Sequence, residues 1–222
     1  RFYMTDERID VWREAIKDEN HPRHKAAWVL FSESKRPDGI ARLLEAQKDE
    51  IIPWLYEILD TEELYHVNSF GRGWASINAI GLLGQWQVTE ALPQLLKIIT
   101  MENNQQIIAN AAATAIRNMP PSITDELMAY AQAQAGDSRT KLAGLLADVA
   151  KDDARAYEWI KTVFLEQKEE MPILYMAENL LVVYPAQATT FLRNWLKKSP
   201  LSKEARKRLE KYIADASSSN FP

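Results

Sequence analysis

The sequence predicts an all-α protein built from repeated helix pairs, and three observations support that prediction. First, glycine and proline are scarce, at seven and ten of 222 residues, while the helix-favouring residues alanine, leucine, glutamate, glutamine and lysine are abundant. Second, apolar residues recur at helical spacing, and no run of strand-like alternation is present. Third, a helical segment at residues 51–60, IIPWLYEILD, is repeated at residues 91–100 as ALPQLLKIIT. A repeat at this period indicates stacked units, each of which buries its apolar face against a copy.

A second helix follows each of these two segments. Pro53 and Pro93 are predicted in the first turn of the first helices, where the missing N–H would have no partner. The second helices are predicted at residues 74–83 and 110–119, a step of 36 residues against 40 for the first helices. The loop at residues 61–73 is therefore longer than its counterpart. Small residues in the second helices are expected to let neighbours approach closely: Ala75, Ala79, Ala111, Ala112 and Ala115.

The pattern continues along the chain with weaker similarity. Pro172 marks a helix start, Gly136 marks a helix end, and Ser202 is expected to N-cap the last helix. The first helices 51–60 and 91–100 are expected to pack side by side. Further helices are predicted at residues 6–17, 22–34, 38–48, 123–135, 139–150, 154–167, 173–183, 186–198 and 202–214. We expect one domain, with N-terminal helices at 1–49, repeats at 50–200, a capping helix at 201–216 and a frayed tail at 217–222.

The net charge of −4 is spread unevenly over the chain. Residues 193–211 hold eight Lys or Arg and two Asp or Glu, a local charge of +6, which leaves −10 for the remainder. In the last helix one face is apolar, with Leu201, Ala205, Leu209, Tyr212 and Ile213 expected inward and Lys203, Arg206, Lys207 and Lys211 outward. The basic run is interpreted either as the solvated face of a cap or as a dock for an acidic partner, a membrane surface or nucleic acid.

Residue types that carry chemistry are few. The chain has no cysteine, which excludes disulfides and thiolate sites, and it has three histidines. His21 and His24 are spaced for one side of a helix start, but no further ligand completes a tetrahedral metal site, so a polar helix terminus is the favoured interpretation. Neither a G-x-S-x-G turn nor a glycine-rich phosphate loop is present. We therefore expect no cofactor, no bound metal and no catalytic residue.

The segments ALPQLLKII and WASINAIGLLG resemble HEAT-like repeats over residues 50–150, and more loosely over 151–214. The resemblance implies a right-handed α-solenoid of antiparallel helix pairs, with the second helices on the concave face. One departure lies at residues 101–106, where Met-Glu-Asn-Asn-Gln-Gln replaces the Asp and Arg of the usual turn.

Enzymes of HEAT-like architecture can be tested against the sequence. Deoxyhypusine hydroxylases bind iron through His-Glu dipeptides, and this chain has none. Alkylpurine DNA glycosylases need a basic concave face, whereas the body of this chain is acidic, so nucleic acid is not an expected partner. Phycobilin-lyase-like proteins remain a further alternative. The favoured function is a noncatalytic scaffold or adaptor that holds a protein or peptide in its groove; the alternative is an accessory enzyme, either a lyase-like cofactor chaperone or a glycosylase-like nucleic-acid binder.

The loop at residues 61–73 is the feature most expected to carry function, because long connections between helices often do. Gly71 and Gly73 would let it reposition. The other interpretation is that Tyr65 and Phe70 fold back over the core edge. Trp74, at a position where the repeat places polar Asn110, is interpreted as a contact residue or a loop anchor, while Trp54, Trp159 and Trp195 are expected in the core. The predicted partner-binding residues are Tyr65, His66, Phe70, Arg72, Trp74, Asn78, Asn110, Arg117, Lys141, Asp148 and Glu178.

No apolar run is long enough to span a membrane, and the lack of cysteine fits a reducing compartment, so a cytoplasmic location is expected. Because the chain begins at Arg1, we expect a fragment or a processed product.

Overall fold

A computed structural model describes residues 6–33, 36–101 and 106–218. The protein is 77% helical, and the described residues form no strand, which confirms the all-α prediction. The turn at residues 102–105 and the tail at 219–222 lie outside the described part of the chain. The chain divides into two compact units, unit 1 up to Pro120 and unit 2 from Pro121 onward.

Unit 1 is organised around one central helix, α5. This helix packs against α3, α4 and α7, and α6 packs against α7. Aliphatic side chains form the core around α5, where Ile51, Leu55, Ile80 and Leu95 are completely buried. The helices of unit 1 are α1 (Glu7–Lys17), α2 (His24–Leu30), α3 (Pro37–Leu44), α4 (Lys48–Asp60), α5 (Trp74–Gln85), α6 (Leu92–Thr100) and α7 (Gln106–Arg117).

The two repeated prolines occupy different places in their helices. Pro93 is the second residue of α6, as predicted. Pro53 lies inside α4, because that helix begins at Lys48, directly after a 3₁₀ turn at Glu45–Gln47. The prediction for Pro53 is therefore wrong. A proline here removes the N–H that would pair with the carbonyl of Asp49, an exposed residue whose carbonyl can bond to water instead.

The two repeated first helices do not pack mainly on each other. Helix α4 packs chiefly against α5, and α6 against α7. The contact between α4 and α6 lies at the end of α4, where the Gln94 amide donates to the Asp60 carboxylate at 2.7 Å. The predicted side-by-side packing is thus reduced to a contact at the helix end.

Small residues bring α5 and α7 together, in line with the sequence prediction. A Cβ built on Gly84 would lie 2.8 Å from Ala115 Cβ, closer than two carbon atoms normally approach. Among the predicted alanines, Ala75, Ala79, Ala112 and Ala115 are buried and Ala111 is half-buried. The close approach of α5 and α7 therefore depends on residues with little or no side chain.

Unit 2 repeats this organisation around helix α11. Helix α11 packs against α9, α10, α12 and α13, and α9 also packs against α8 and α10. Side-chain caps define two helix starts: Asp153 accepts from the backbone N–H of Arg155, and Ser202 accepts from that of Ala205, as predicted for Ser202. The helices of unit 2 are α8 (Thr124–Gln132), α9 (Ser138–Val149), α10 (Ala154–Glu166), α11 (Glu170–Val183), α12 (Pro185–Leu196) and α13 (Lys203–Ser217).

Helix α13 presents the predicted apolar face to the unit. Leu201, Ala205, Leu209 and Ile213 are buried, and Tyr212 is half-buried. One expectation for this helix is wrong: Arg206 does not point outward. Its guanidinium donates to the Leu196 carbonyl at 2.6 Å and to the Ser199 hydroxyl at 3.2 Å, so it satisfies a carbonyl at the end of α12.

The tryptophans expected in the core lie at its edge. Trp54, Trp159 and Trp195 are each half-buried, whereas Trp12 is fully buried. Rings or cations cover the exposed edges: Trp54 meets Trp12 edge to face, and the guanidinium of Arg139 lies 5.9 Å from the Trp159 ring. Helical spacing places these tryptophans on the apolar face of their helices, but an indole ring is large and is rarely buried completely.

Candidate interaction surfaces

Tyr65 belongs to the structure of the loop rather than to its surface. The side chain is buried, and its hydroxyl donates to the Leu59 carbonyl near the end of α4. Burial raises the pKa of the Tyr65 hydroxyl, and the carboxylates of Glu62 and Asp60 raise it further. Its assignment as a partner-binding residue is therefore wrong, because the loop folds back on α4 and encloses the ring.

Phe70 also packs inward. Its ring centroid lies 5.0 Å from that of Phe31, which in turn lies 5.2 Å from the Trp12 ring. The Arg13 guanidinium covers Phe70 at 5.4 Å, and Gly71 is so close to Phe31 that a Cβ there would lie 2.6 Å from that ring. Phe70 is half-buried and closes the edge of the core, which agrees with the other interpretation of this residue.

The tip of the loop remains accessible. His66, Asn68 and Arg72 are exposed, and Val67 is 70% exposed. Three consecutive residues, Gly71 to Gly73, have positive φ, including Arg72 at 56°. Backbone hydrogen bonds to the carbonyls of His66, Ser69 and Gly71 hold these turns. In this conformation the glycines therefore supply the positive φ angles that a left-handed turn needs.

Asn78 is buried, so its prediction as an outward residue is wrong. Its side-chain amide donates to the Leu30 carbonyl at 2.9 Å and approaches the Ser32 carbonyl at 3.5 Å. The Leu30 carbonyl lies in the last turn of α2, where the helix leaves it without an intrahelical partner, and Ser32 lies two residues beyond the helix. Ile77 is half-exposed instead. The predicted outward position on α5 is one residue away from the observed one, and a step of one residue turns a side chain through about 100° around a helix.

A shallow cavity of about 240 Å³ lies along α3, α5 and α7 in unit 1. Two predicted residues, Asn110 and Arg117, are exposed on α7, and Trp74 is half-buried at the start of α5. None of these three lines the cavity. Its walls are formed by Pro37, Ile77, Asn78, Gly81, Ala111, Thr114, Ala115 and Asn118.

In unit 2 the three predicted residues are all exposed, on two helices that pack together. Lys141 and Asp148 share one face of α9 with Gly144 between them, and Glu178 lies on α11. At Gly144 the two helices meet, because a Cβ there would overlap the Tyr175 hydroxyl of α11. We call Lys141, Gly144, Asp148, Met171, Tyr175, Glu178 and Asn179 the α9–α11 face.

Three residues that distinguish this face were not predicted from the sequence. Tyr175 is 44% exposed, and Met171, one turn earlier, is 62% exposed. Asn179, one turn after Tyr175, is only 7% exposed, and its side-chain nitrogen has no hydrogen-bond partner among the described residues. A Cβ on Gly144 would lie 3.7 Å from the Asn179 side-chain oxygen, so this amide lies beside the point where the Tyr175 hydroxyl meets Gly144. A helical glycine opposite a Tyr-x-x-x-Asn sequence was the available signal.

The histidines at the start of α2 bond to the backbone. The ring nitrogen Nδ1 of His24 lies 2.7 Å from the Ala15 carbonyl, and that of His21 accepts from the Arg23 N–H at 3.0 Å. The Arg23 guanidinium lies between the Trp12 and Trp54 rings, at 5.0 and 4.9 Å, and pairs with Glu57 at 2.7 Å. This region is a polar helix terminus over an aromatic cluster. In the described part of the chain, no three metal-ligating side chains converge.

Comparison of the chain with protein-family models, curated proteins and solved structures gave no match. Within the described residues, no helix has the length and apolar character needed to cross a bilayer. The functional proposal therefore rests on the geometry of the surfaces described above.

Proposed function

We propose that this chain is a HEAT-like helical-repeat protein that binds a peptide, or an extended segment of a partner protein, on its α9–α11 face without chemistry of its own. Alternate helices pack together within each unit: α3 packs with α5 and α5 with α7 in unit 1, and α9 packs with α11 and α11 with α13 in unit 2. That packing supports stacked helix pairs. In a right-handed solenoid of the HEAT type, such helices line the concave side, where partners bind.

The observation that carries the proposal is the unpaired amide of Asn179. A buried N–H without a partner costs about 1–3 kcal/mol, and native proteins rarely leave one. A backbone carbonyl of a bound peptide would supply the missing acceptor. The Tyr175 hydroxyl occupies the space beside Gly144 and lies next to the Asn179 side chain, so the carbonyl reaches the buried amide only when the exposed Tyr175 ring moves aside.

The rest of the α9–α11 face fits a peptide ligand. Tyr175 and Met171 offer exposed apolar surface one turn apart, and tyrosine and methionine are both enriched at protein interfaces. Lys141, Asp148 and Glu178 provide charges of both signs around this surface. Mixed polarity around an apolar centre is typical of protein recognition, whereas a nucleic acid would require a continuous positive surface.

Selection from a displayed peptide library, with counter-selection against the Asn179→Ala variant, tests the proposal. Selected peptides should bind the native chain and lose about tenfold in affinity, or about 1.4 kcal/mol, for each of Asn179→Ala and Tyr175→Ala. Asn110→Ala is the matched control, because Asn110 is an exposed asparagine on α7 in unit 1. Peptides that bind all four proteins equally would refute the site, as would a library that yields no binder.

A further inference from the structure

Eight cationic side chains of α12, α13 and the turn between them have no carboxylate partner among the residues that the structure describes. They are Arg193, Lys197, Lys198, Lys203, Arg206, Lys207, Arg208 and Lys211, and none forms an ion pair with another described residue. Elsewhere in the chain, arginines on several helices have such partners, for example Arg155 with Asp125 at 2.9 Å. A positive surface left unpaired on an acidic protein attracts an anionic ligand.

Three of these cations line a groove between α12 and α13. Its volume is about 340 Å³, and Leu196, Ile213 and Ala214 form its apolar lining. Arg193, Lys197 and Arg206 also line it, together with one acid, Glu210. A concave site with an apolar lining and a cationic rim can accept one apolar side chain while the rim binds carboxylates on either side of it.

Two of the rim cations are already held in place. The Arg206 guanidinium is fixed by the Leu196 carbonyl and the Ser199 hydroxyl, which leaves N–H donors for a ligand. The Lys197 ammonium donates to the Asn194 side-chain oxygen at 3.1 Å. Holding these cations before a ligand arrives reduces the side-chain entropy lost on binding.

We infer that the groove between α12 and α13 binds an acidic peptide segment in which carboxylates flank a single apolar residue. This site is separate from the α9–α11 face and does not depend on the function proposed for it. The groove argues for a peptide over a membrane, because the outward residues Lys203, Lys207 and Lys211 offer no apolar group to insert into lipid. The charge of −10 on the rest of the chain disfavours a long polyanion such as duplex DNA, which would extend past the groove.

Fluorescence polarisation with the whole chain and a labelled peptide of glutamates around one leucine measures this binding. The affinity should fall with added salt, since the Debye length shortens from about 10 Å at 0.1 M to about 3 Å at 1 M. Replacing the glutamates with glutamine should abolish binding, and replacing the leucine with serine should weaken it about tenfold.

The protein variants reverse the rim while leaving Arg206 in place, because that residue supports the end of α12. Arg193→Glu with Lys197→Glu should weaken the peptide at least about tenfold, whereas Lys97→Glu in unit 1 should not. Both cations lie near the end of a helix, where a negative charge is unfavourable, so the neutral pair Arg193→Gln with Lys197→Gln provides a second variant whose helicity circular dichroism can check.

Four results would overturn the inference. The first is binding that neither rim variant weakens. The second is equal affinity for the serine peptide, which would mean charge attraction without use of the groove. The third is tighter binding to duplex DNA or to phosphatidylserine vesicles than to the leucine peptide. The fourth is self-association in sedimentation experiments that the rim variants eliminate, which would make a second copy of this chain the occupant.

Discussion

Replacing two buried asparagines with alanine, one at a time, compares an amide that forms a hydrogen bond within the fold with one that does not. Asn78 in α5 and Asn179 in α11 are 2% and 7% exposed, and both lie in helix interiors. The Asn78 amide donates to the Leu30 carbonyl at 2.9 Å, whereas the Asn179 nitrogen finds no acceptor among the described residues. Both replacements delete the same atoms, so the cavity and the gain in helix propensity are similar.

The difference between the two variants is therefore the hydrogen bond. Asn78→Ala leaves carbonyls at the end of α2 unsatisfied, which costs about 1–3 kcal/mol beyond the cavity. Asn179→Ala removes an unpaired group and carries no such cost. For a chain of 222 residues, at about 2–4 °C per kcal/mol, the melting temperature of Asn78→Ala should lie roughly 2–12 °C below that of Asn179→Ala.

Urea denaturation and calorimetry measure both effects, and Asn110→Ala, at an exposed site, should stay within about 0.5 kcal/mol of the native chain. Equal destabilisation by Asn78→Ala and Asn179→Ala would show that Asn179 has a partner inside the folded chain. The structural basis of the proposed peptide site would then be lost.

Three further predictions concern the fold. Gly84→Ala should destabilise the chain, because its Cβ would meet α7 at a cost of about 1–3 kcal/mol, from which about 1 kcal/mol gained in helix propensity is subtracted. Gly39→Ala, whose Cβ meets nothing within 4 Å, should stabilise the chain by about 0.5–1 kcal/mol. Denaturation curves that move in the same direction for both variants would refute the close approach of α5 and α7. Because the pKa of Tyr65 is raised, the folded chain holds this proton to higher pH than the unfolded chain, so the stability it contributes is lost as pH rises above about 10. Tyr65→Phe should therefore flatten the alkaline fall of the melting temperature while costing about 0.5–1.5 kcal/mol at neutral pH, and an unchanged alkaline profile would contradict this. Hydrogen bonds from Arg155 lower the pKa of Asp153, so the stability that this carboxylate contributes is full above about pH 4 and is lost on acidification. Asp153→Ala should therefore cost about 0.5–2 kcal/mol at pH 7 and much less near pH 2. Equal losses of stability at both pH values would exclude the cap.

Helix positions could be predicted from the sequence because they depend on local signals. Apolar spacing placed α5 at its observed start, Trp74, and the N-cap Ser202 placed the start of α13. The same spacing placed the start of α4 too late, because the proline rule assumes that Pro53 opens a helix, while a proline inside a helix is also tolerated when its neighbours allow it.

The interaction surfaces were less predictable because they depend on which elements meet. Tyr65 and Phe70 have the composition of a binding loop. The Tyr65 hydroxyl nevertheless bonds to the Leu59 carbonyl and the Phe70 ring packs on Phe31, and no local pattern predicts these contacts. Asn78 faces the end of α2 for the same reason. Lys141, Asp148 and Glu178 were placed correctly on the surface, since charged residues on one helix face are exposed whatever packs beneath them.

The bond from Asn78 to Leu30 joins residues 48 positions apart, and this separation has a consequence for how the chain folds as it is synthesised. At about 5–20 residues per second, the end of α2 leaves the ribosome roughly 2–10 s before the amide that completes it. During that interval the carbonyls of Leu30 and Ser32 bond to water, and α2, with seven residues, is too short to be stable alone. The N-terminal helices are therefore completed only after α5 has been synthesised. A fragment that ends before Asn78 lacks the amide that bonds to the end of α2.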